Sequence, residues 1–331
     1  MLRIFRANSV YNFILLPIIG ALLLIKSYLD TKGMFAGDYS FITPAFPEID
    51  LSAVRYETLI ALSFLSVIFI CFQLLITNAR FAFIKERTFL PSYLFLFIIY
   101  TIPELHFFNP VLISGIFCLL AINSIFDSFE KNKAIMNAFN AGFLTGIAGL
   151  FYLSSNLLVF LIPISLFNLR GKVTWREVAT PFIGLILPWL FVFTFYFVSN
   201  NTSIFTDNII NYIKFKNESL IGDYTLIGYL GLIGLITLIS SIFVLKQYDE
   251  EKIRVRRYFK ILFFFFFSSL IFLIFPFVSY ELIVLAALPI SFFITSYLSF
   301  MHRRFWSEFF FILIFVLSFA LQFVFEWMRA G

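Results

Sequence analysis

The sequence has few charged residues. Asp, Glu, Lys and Arg make up only 13% of its 331 residues, whereas 61% are hydrophobic. A soluble domain carries about 25% charged residues, and a water-facing surface cannot be built from so few. The mean hydropathy of +0.96 agrees with this. The composition therefore excludes a soluble enzyme, a disordered chain and a fibrous protein, and it predicts an integral membrane protein with several helical spans.

Cysteine and histidine are also scarce. The two cysteines, Cys71 and Cys118, lie inside apolar runs and form no CxxC pattern, which excludes a disulfide framework. The two histidines, His106 and His302, are too few for a multi-histidine metal centre, so no metal site is predicted. The phosphate loop GxxxxGK[ST] and the motifs GxGxxG, HExxH and GxSxG are absent. A net charge of +5 in such a chain orients it in the membrane rather than binding nucleic acid.

Hydrophobic runs predict one transmembrane domain over residues 1–331, an all-α polytopic bundle of about eleven segments. A full span needs about 20 apolar residues, and the third and sixth segments are shorter than that. Because they are short, the sequence leaves open whether these two segments cross the bilayer completely or are re-entrant. The segments cover residues 9–28, 58–78, 89–102, 109–126, 138–154, 156–169, 177–199, 224–245, 261–278, 281–300 and 308–327.

The distribution of positive charge predicts the orientation. If the N-terminus is cytoplasmic and the segments alternate, eighteen of the 24 Lys and Arg residues fall on the cytoplasmic side. The six others are Lys26, Lys32, Arg55, Lys214, Lys216 and Arg329. Since cytoplasmic loops are enriched in Lys and Arg, we expect the N-terminus inside and the C-terminus outside.

Three connections hold most of the polar residues. The outer loop 29–57 contains Gly and Pro residues that favour turns and extended backbone over one long helix. In the outer loop 200–223, residues 209–215 are predicted to form a short amphipathic helix on the membrane surface. The cytoplasmic connector 246–260 is strongly basic, as is typical of a loop beside anionic lipid headgroups.

The short third segment ends in TIPELHFFNP, where Pro103 and Pro110 bracket Glu104 and His106. If this segment stops below the membrane interface, both ionisable groups lie below headgroup level. Ionisable groups at that depth are costly and tend to be functional. Glu104 and His106 are therefore candidate catalytic or proton-binding residues, and the alternative is an ordinary hydrated outer turn.

Glycine recurs at short spacing in two segments. Gly142, Gly146 and Gly149 lie in AGFLTGIAG, and Gly228, Gly231 and Gly234 follow one another every three residues. Small residues on one face let neighbouring membrane helices approach closely. Both sets are predicted to pack helices.

Three stretches resemble a family of uncharacterised bacterial multi-pass inner-membrane proteins, filed as a domain of unknown function. They are the opening RIFRANSVYN, the segment FNAGFLTGIAGLFY at 139–152 and LRGKVTWREVATPFIGLILPW at 169–189. The resemblance covers most of the chain. It implies a bacterial inner-membrane location and no particular activity.

A second resemblance is to the C superfamily of membrane glycosyltransferases, which use polyprenyl-phosphate sugar donors. It rests on an acidic first outer loop with Asp38 in AGDYS, and on short paired segments around a glycine-rich helix. It implies Asp38 as base or as ligand of a divalent metal, and Arg55, Lys214 and Lys216 as phosphate-binding cations. The chain departs from that pattern because it has no second acid beside Asp38 and no large outer C-terminal domain.

These features leave three functions open. The first is envelope glycoconjugate assembly with a polyprenyl-phosphate-linked donor. The second is a non-catalytic subunit or scaffold of a cell-envelope complex, with other membrane proteins as partners. The third is a transporter or flippase in which a titratable group such as Glu104 controls uptake.

Overall fold

The computed structural model describes residues 5, 10–36, 39–84, 88–129, 131, 133–214, 224–246, 252–272, 281–300 and 304–330. These residues form twelve α-helices, two short 3-10 helices and one two-stranded hairpin. The all-α prediction is confirmed. The helices are α1 Val10–Thr31, α2 Tyr56–Phe81, α3 Leu90–Tyr100, α4 Pro110–Phe126, α5 Ile135–Phe151, α6 Leu161–Arg170, α7 Trp175–Val198, α8 Thr202–Lys214, α9 Tyr224–Lys246, α10 Ile253–Phe272, α11 Leu282–Phe300 and α12 Arg304–Ala330.

Six helical stretches are long and apolar enough to cross a membrane: Val10–Thr31, Tyr56–Phe81, Leu153–Arg170, Trp175–Val198, Ile227–Lys246 and Leu282–Phe300. Four further helices are apolar but shorter. Many large hydrophobic side chains on α1, α2, α7 and α9 are exposed. Because such apolar surface is stable only against hydrocarbon, this is a multi-pass membrane protein in contact with the lipid bilayer.

The centre of the bundle is built from α3 and α11. All eleven residues of α3 are buried, and so is nearly every residue of α11. At 1.5 Å per residue α3 is about 16 Å long, roughly half the hydrocarbon thickness of a bilayer. The third predicted segment is therefore an incomplete span that protein, not lipid, surrounds.

Glycines let α5 lie directly against α7. A Cβ atom at Gly146 would lie 2.6 Å from the Leu185 carbonyl oxygen, and one at Gly184 would lie 2.5 Å from the Phe139 carbonyl oxygen. At Gly142 an added Cβ would overlap the carbonyl of Pro181. These distances are shorter than side chains allow, so only glycine permits this separation of the two helices.

We call the end of the bundle that carries residues 32–55 the loop end, and the end that carries residues 168–177 the basic end. A buried ion pair joins two turns at the basic end. Glu177, 1% exposed, pairs with Arg170 and accepts hydrogen bonds from the Ala134 N–H at 2.7 Å and the Thr174 N–H at 2.8 Å. The carboxylate thus ties the start of α5 to the turn between α6 and α7.

Several segment boundaries differ by a few residues from the predicted ones, and two of these differences have a clear cause. The segment expected at 156–169 begins as a 3-10 helix, Leu153–Phe160, before it continues as α6. The predicted span 261–278 starts eight residues earlier, because α10 includes the basic run from Ile253 onward. Lys and Arg are good helix formers, so a helix can begin in a basic stretch. Hydropathy therefore predicts where the apolar span lies, but it does not predict where the helix begins. Residues 273–280 lie outside the described part of the chain.

Candidate functional site at the loop end

The candidate site is the 3-10 helix Pro103–His106, which follows α3 and carries Glu104 and His106. Two hydrogen bonds from other helices hold this turn. The Ser63 hydroxyl of α2 donates to the Leu105 carbonyl at 2.8 Å. The Ser27 hydroxyl of α1 lies 2.6 Å from Nδ1 of His106. The turn is therefore fixed to the two helices that flank the first outer loop.

These bonds also give the depth of the turn. Ser63 lies seven residues after Tyr56, where α2 begins, which corresponds to about 10 Å along the helix axis. Ser27 lies four residues before Thr31, where α1 ends, which is about 6 Å. Leu105 and His106 therefore lie inside the bundle, below the loop-end termini of α1 and α2. The proline-bracketed turn is recessed.

His106 is held on both ring nitrogens. Nε2 lies 2.9 Å from the Tyr100 carbonyl oxygen, and the ring contacts the Tyr100 ring edge-on at 5.8 Å. Since a carbonyl oxygen only accepts, Nε2 donates to Tyr100, whereas the Ser27 hydroxyl can either donate to Nδ1 or accept from it. The imidazole is 2% exposed. Within the described structure its role is to position the turn.

The first outer loop covers this turn with aromatic side chains. The loop forms an antiparallel hairpin from strands β1, Ser40–Phe41, and β2, Ile49–Asp50. The Tyr39 hydroxyl, next to β1, donates to the Phe108 carbonyl at 2.7 Å. The rings of Tyr56 and Phe107 lie 5.1 Å apart. The expected turns and extended backbone are present, and they place the hairpin over the recessed turn.

A second carboxylate, Glu281, lies beside the same turn. Its Oε1 accepts a hydrogen bond of 2.5 Å from Nδ2 of Asn109, whose own Oδ1 accepts from the Val111 N–H at the start of α4. The pKa of Tyr39 is raised to about 12. Burial is the largest cause, followed by the negative charge of Glu281 and then by Tyr56. We call Tyr39, Glu104, His106, Asn109 and Glu281 the loop-end cluster.

Residues 209–214 of the predicted amphipathic helix are part of α8, which begins at Thr202, and Phe215 lies outside the described residues. Its Phe205 ring packs 5.7 Å from both Phe193 and Tyr196 of α7. Burial raises the pKa of Tyr212 well above its ordinary value, with Tyr152 and Glu281 as further causes. The helix therefore lies at the loop end, close to the cluster.

Two of the three predicted phosphate-binding cations, Arg55 and Lys214, lie at the loop end but apart from the turn. Arg55 is exposed, and its guanidinium lies 6.0 Å from the centre of the Phe35 ring. Lys214 is exposed as the last residue of α8. Within the described chain, no hydrogen bond or ion pair joins either cation to Glu104 or His106. Asp38 and Lys216 lie outside the described residues.

The two glycine sets differ in their surroundings. A Cβ at Gly149 would overlap the side chain of Asn156, so all three glycines of α5 face close neighbours. By contrast, a Cβ at Gly228, Gly231 or Gly234 would meet no atom of the described structure within 4 Å. The packing predicted for this second set is therefore not present in the described structure, because no element lies against that face of α9.

Sequence reasoning missed the long-range members of the cluster. Asn109 precedes Pro110, a pattern typical of a helix start, and that signal predicts only its bond to the Val111 N–H. Its contact with Glu281 spans 172 residues and has no local signal. Among the described residues, no group of three His, Cys, Asp or Glu side chains is placed to hold a metal ion.

Comparison with known proteins gives one match. Neither a curated protein nor a solved structure matches the chain. A family model, described as a family of unknown function (DUF6427), matches residues 49–330 and therefore includes the turn, α4 to α11 and Glu281. The chain belongs to this family.

Proposed function

We propose that this protein acts in the bacterial inner membrane on a polyprenyl-phosphate-linked glycan, as a glycosyltransferase-like enzyme whose site is the loop-end cluster. The observation that carries the proposal is the depth of the Pro103–His106 turn. Its two hydrogen bonds place it about 6 to 10 Å below the ends of α1 and α2. An ionisable group at that depth is costly, and such groups tend to be functional.

The depth suits a lipid-linked substrate. The headgroup region adds about 5 to 7 Å on each side of a hydrocarbon core about 30 Å thick. A polyprenyl phosphate keeps its phosphate in that region and its tail in the hydrocarbon. A recessed turn therefore meets the bond between phosphate and sugar, while the hairpin above it limits access of water.

The residues divide into three roles. Asp38 or Glu104 would take the proton of the acceptor hydroxyl, and a carboxylate near the acceptor is the minimum that glycosyl transfer needs. Arg55, Lys214 and Lys216 would neutralise the phosphate that leaves. His106 would hold the turn in position, because both of its ring nitrogens are bonded within the protein. The proposal contains no step through a metal ion.

The test is transfer of sugar by the purified full-length protein from a polyprenyl-phosphate donor. We expect Asp38→Asn or Glu104→Gln to lower the rate by about 100-fold or more, the typical contribution of acid–base catalysis. The matched control is Asp50→Asn, because Asp50 lies in the same loop and accepts hydrogen bonds from Ser52 only locally. Equal loss in all three variants, or no transfer by the unmodified protein, would rule the proposal out.

A second candidate is a non-catalytic subunit of a cell-envelope complex. It is favoured by hydrogen bonds within the protein at this cluster. Asn109 binds Glu281, and both ring nitrogens of His106 bond to groups of the protein. Groups bonded in this way hold a structure rigid. In that case Asp38→Asn is silent, and mild-detergent purification yields another membrane protein at fixed stoichiometry without a polyprenyl lipid.

A further inference from the structure

The arginines at the start of α10 lie at the end of the bundle opposite to the loop-end cluster. Arg254 and Arg257 are three residues apart and therefore share one face of the helix. Their guanidinium carbons lie 5.4 Å and 6.0 Å from the centre of the same ring, that of Phe129. The two cations thus converge on one aromatic side chain in the turn between α4 and α5.

Both side chains are held in place by neutral groups. Nε of Arg254 donates to the Tyr258 hydroxyl at 2.7 Å, and Nη1 of Arg257 donates to the Leu169 carbonyl at the end of α6. Asn168 donates in return to the Arg257 carbonyl at 3.0 Å. These contacts fix the guanidinium planes and leave further N–H donors on each arginine.

The charge of the pair is not neutralised within the described chain. Neither arginine has an ion pair there, whereas the carboxylates of Asp127 and Glu177 at the same end pair with other arginines. The helix dipole adds positive potential at the start of α10. Among the described residues, the two arginines and this dipole therefore favour a bound anion.

We propose that Arg254 and Arg257 form a binding site for a phosphate group, in which both guanidinium groups lie against the ring of Phe129. Planar guanidinium groups bind phosphate oxygens through paired N–H donors, and stacking on a ring keeps them oriented for it. Two sources present this chemistry at the membrane surface: the headgroup of an anionic phospholipid, and a free inorganic phosphate. The site is independent of the function proposed for the loop end.

The chain supplies a matched control. Arg176 also lies at the basic end, is exposed, and its guanidinium carbon lies 5.8 Å from the centre of the Trp175 ring. It differs from the proposed site in being a single stacked arginine. An effect of general positive charge would appear equally in Arg176→Gln.

The experiment measures retention of added phosphatidylglycerol on the full-length protein by native mass spectrometry, with phosphatidylcholine as the uncharged reference. We expect Arg254→Gln and Arg257→Gln each to lower the affinity for phosphatidylglycerol roughly fivefold, as expected for one cation near anionic lipid, and Arg176→Gln to leave it unchanged. Arg254→Lys and Arg257→Lys keep the charge and lose the planar group, so they should recover only part of the binding.

A parallel titration with inorganic phosphate, followed by thermal unfolding, identifies the source. Stabilisation by phosphate that is lost in both Gln variants, without selective lipid retention, would assign the site to a soluble phosphate. The proposal is overturned if Arg176→Gln loses as much binding as the other two variants. It is also overturned if neither ligand binds, which would indicate that acids outside the described residues, Asp249, Glu250 and Glu251, neutralise the arginines.

Discussion

The hydroxyl of Ser27 lies 2.6 Å from Nδ1 of His106, although 79 residues separate them in the chain. Ser27 belongs to the last turn of α1, and His106 ends the 3-10 helix that follows α3. Through Nε2 the same imidazole also binds the Tyr100 carbonyl. One buried side chain therefore joins the end of the first helix to both sides of the recessed turn.

Replacing His106 by Phe should destabilise the protein by about 1 to 3 kcal/mol, the cost of leaving buried polar groups unpaired. The Ser27 hydroxyl and the Tyr100 carbonyl would both lose a partner. Thermal unfolding in detergent measures the change. Ser66→Ala is the control, because that hydroxyl is exposed and bonds only to its own helix, and it should have little effect. A similar loss in both variants would contradict the role assigned to His106.

The close approach of α5 and α7 predicts opposite results for one substitution at two glycines. Gly146→Ala places a methyl group against the Leu185 carbonyl, and overpacking of this kind costs about 1 to 3 kcal/mol. Gly231→Ala meets no neighbour in the described structure and should be neutral, or stabilise by up to about 1 kcal/mol through helix propensity. Unfolding temperatures of the two variants decide. Equal effects would show that the two helices do not pack as described.

The buried ion pair at the basic end predicts a large loss on Glu177→Ala. The change removes the carboxylate that pairs with Arg170, whose side chain is 11% exposed, and breaking such a pair costs about 3 to 5 kcal/mol. The comparison is Arg80→Gln, which breaks the pair with Asp127. Because the Arg80 side chain is 59% exposed, that loss should be below about 1 kcal/mol. Equal losses in thermal unfolding would refute the distinction.

Tyr39 predicts loss of stability at alkaline pH. Its pKa is about 12 in the folded protein, mainly because it is buried, against an ordinary value of 10.0. The folded state thus favours the neutral phenol. This contribution is fully present below pH 10.0 and is lost as the pH rises through about 12. Tyr39→Phe should remove that part of the alkaline loss in pH-dependent unfolding. An unchanged profile would mean that Tyr39 is not the titrating group.

The predicted orientation can be tested with single cysteines. Cys71 and Cys118 are 0% exposed, so they should not react with a membrane-impermeant maleimide. Asp50→Cys, in the hairpin, should be labelled on cells whose outer membrane has been opened. Lys172→Cys, in the turn between α6 and α7, should be labelled only after the inner membrane is broken. The reverse pattern would invert the proposed topology and remove the loop-end site from the outer face.

The sequence indicated the recessed turn only in part. A short apolar segment followed by two prolines allowed either a turn below the membrane interface or a hydrated outer turn. The structure shows a short α3 followed by a turn that lies below the ends of α1 and α2. The partners of the turn were not predictable. Ser63 and Ser27 look like ordinary helix serines, and only the packing of α1 and α2 against the turn gives their hydroxyls acceptors there.

The two glycine sets show the same limit. Gly142 and Gly231 both belong to runs of closely spaced glycines in apolar helices, yet among the described residues only the first has a helix against it. The spacing of glycines predicts that a helix face lacks side chains, but it does not identify the element that packs against that face. Which element packs there depends on the whole bundle, because the local sequence carries no signal for contacts between distant helices.

The complete burial of α3 has a consequence for biogenesis. Its main partner, α11, begins at Leu282, about 180 residues after α3 ends at Tyr100. At synthesis rates of about 5 to 20 residues per second, α3 waits roughly 10 to 40 seconds before α11 emerges. During that interval a helix too short to span the bilayer must be sheltered by the insertion machinery or by lipid thinned around it. The centre of the bundle therefore cannot be completed before α11 has been synthesised.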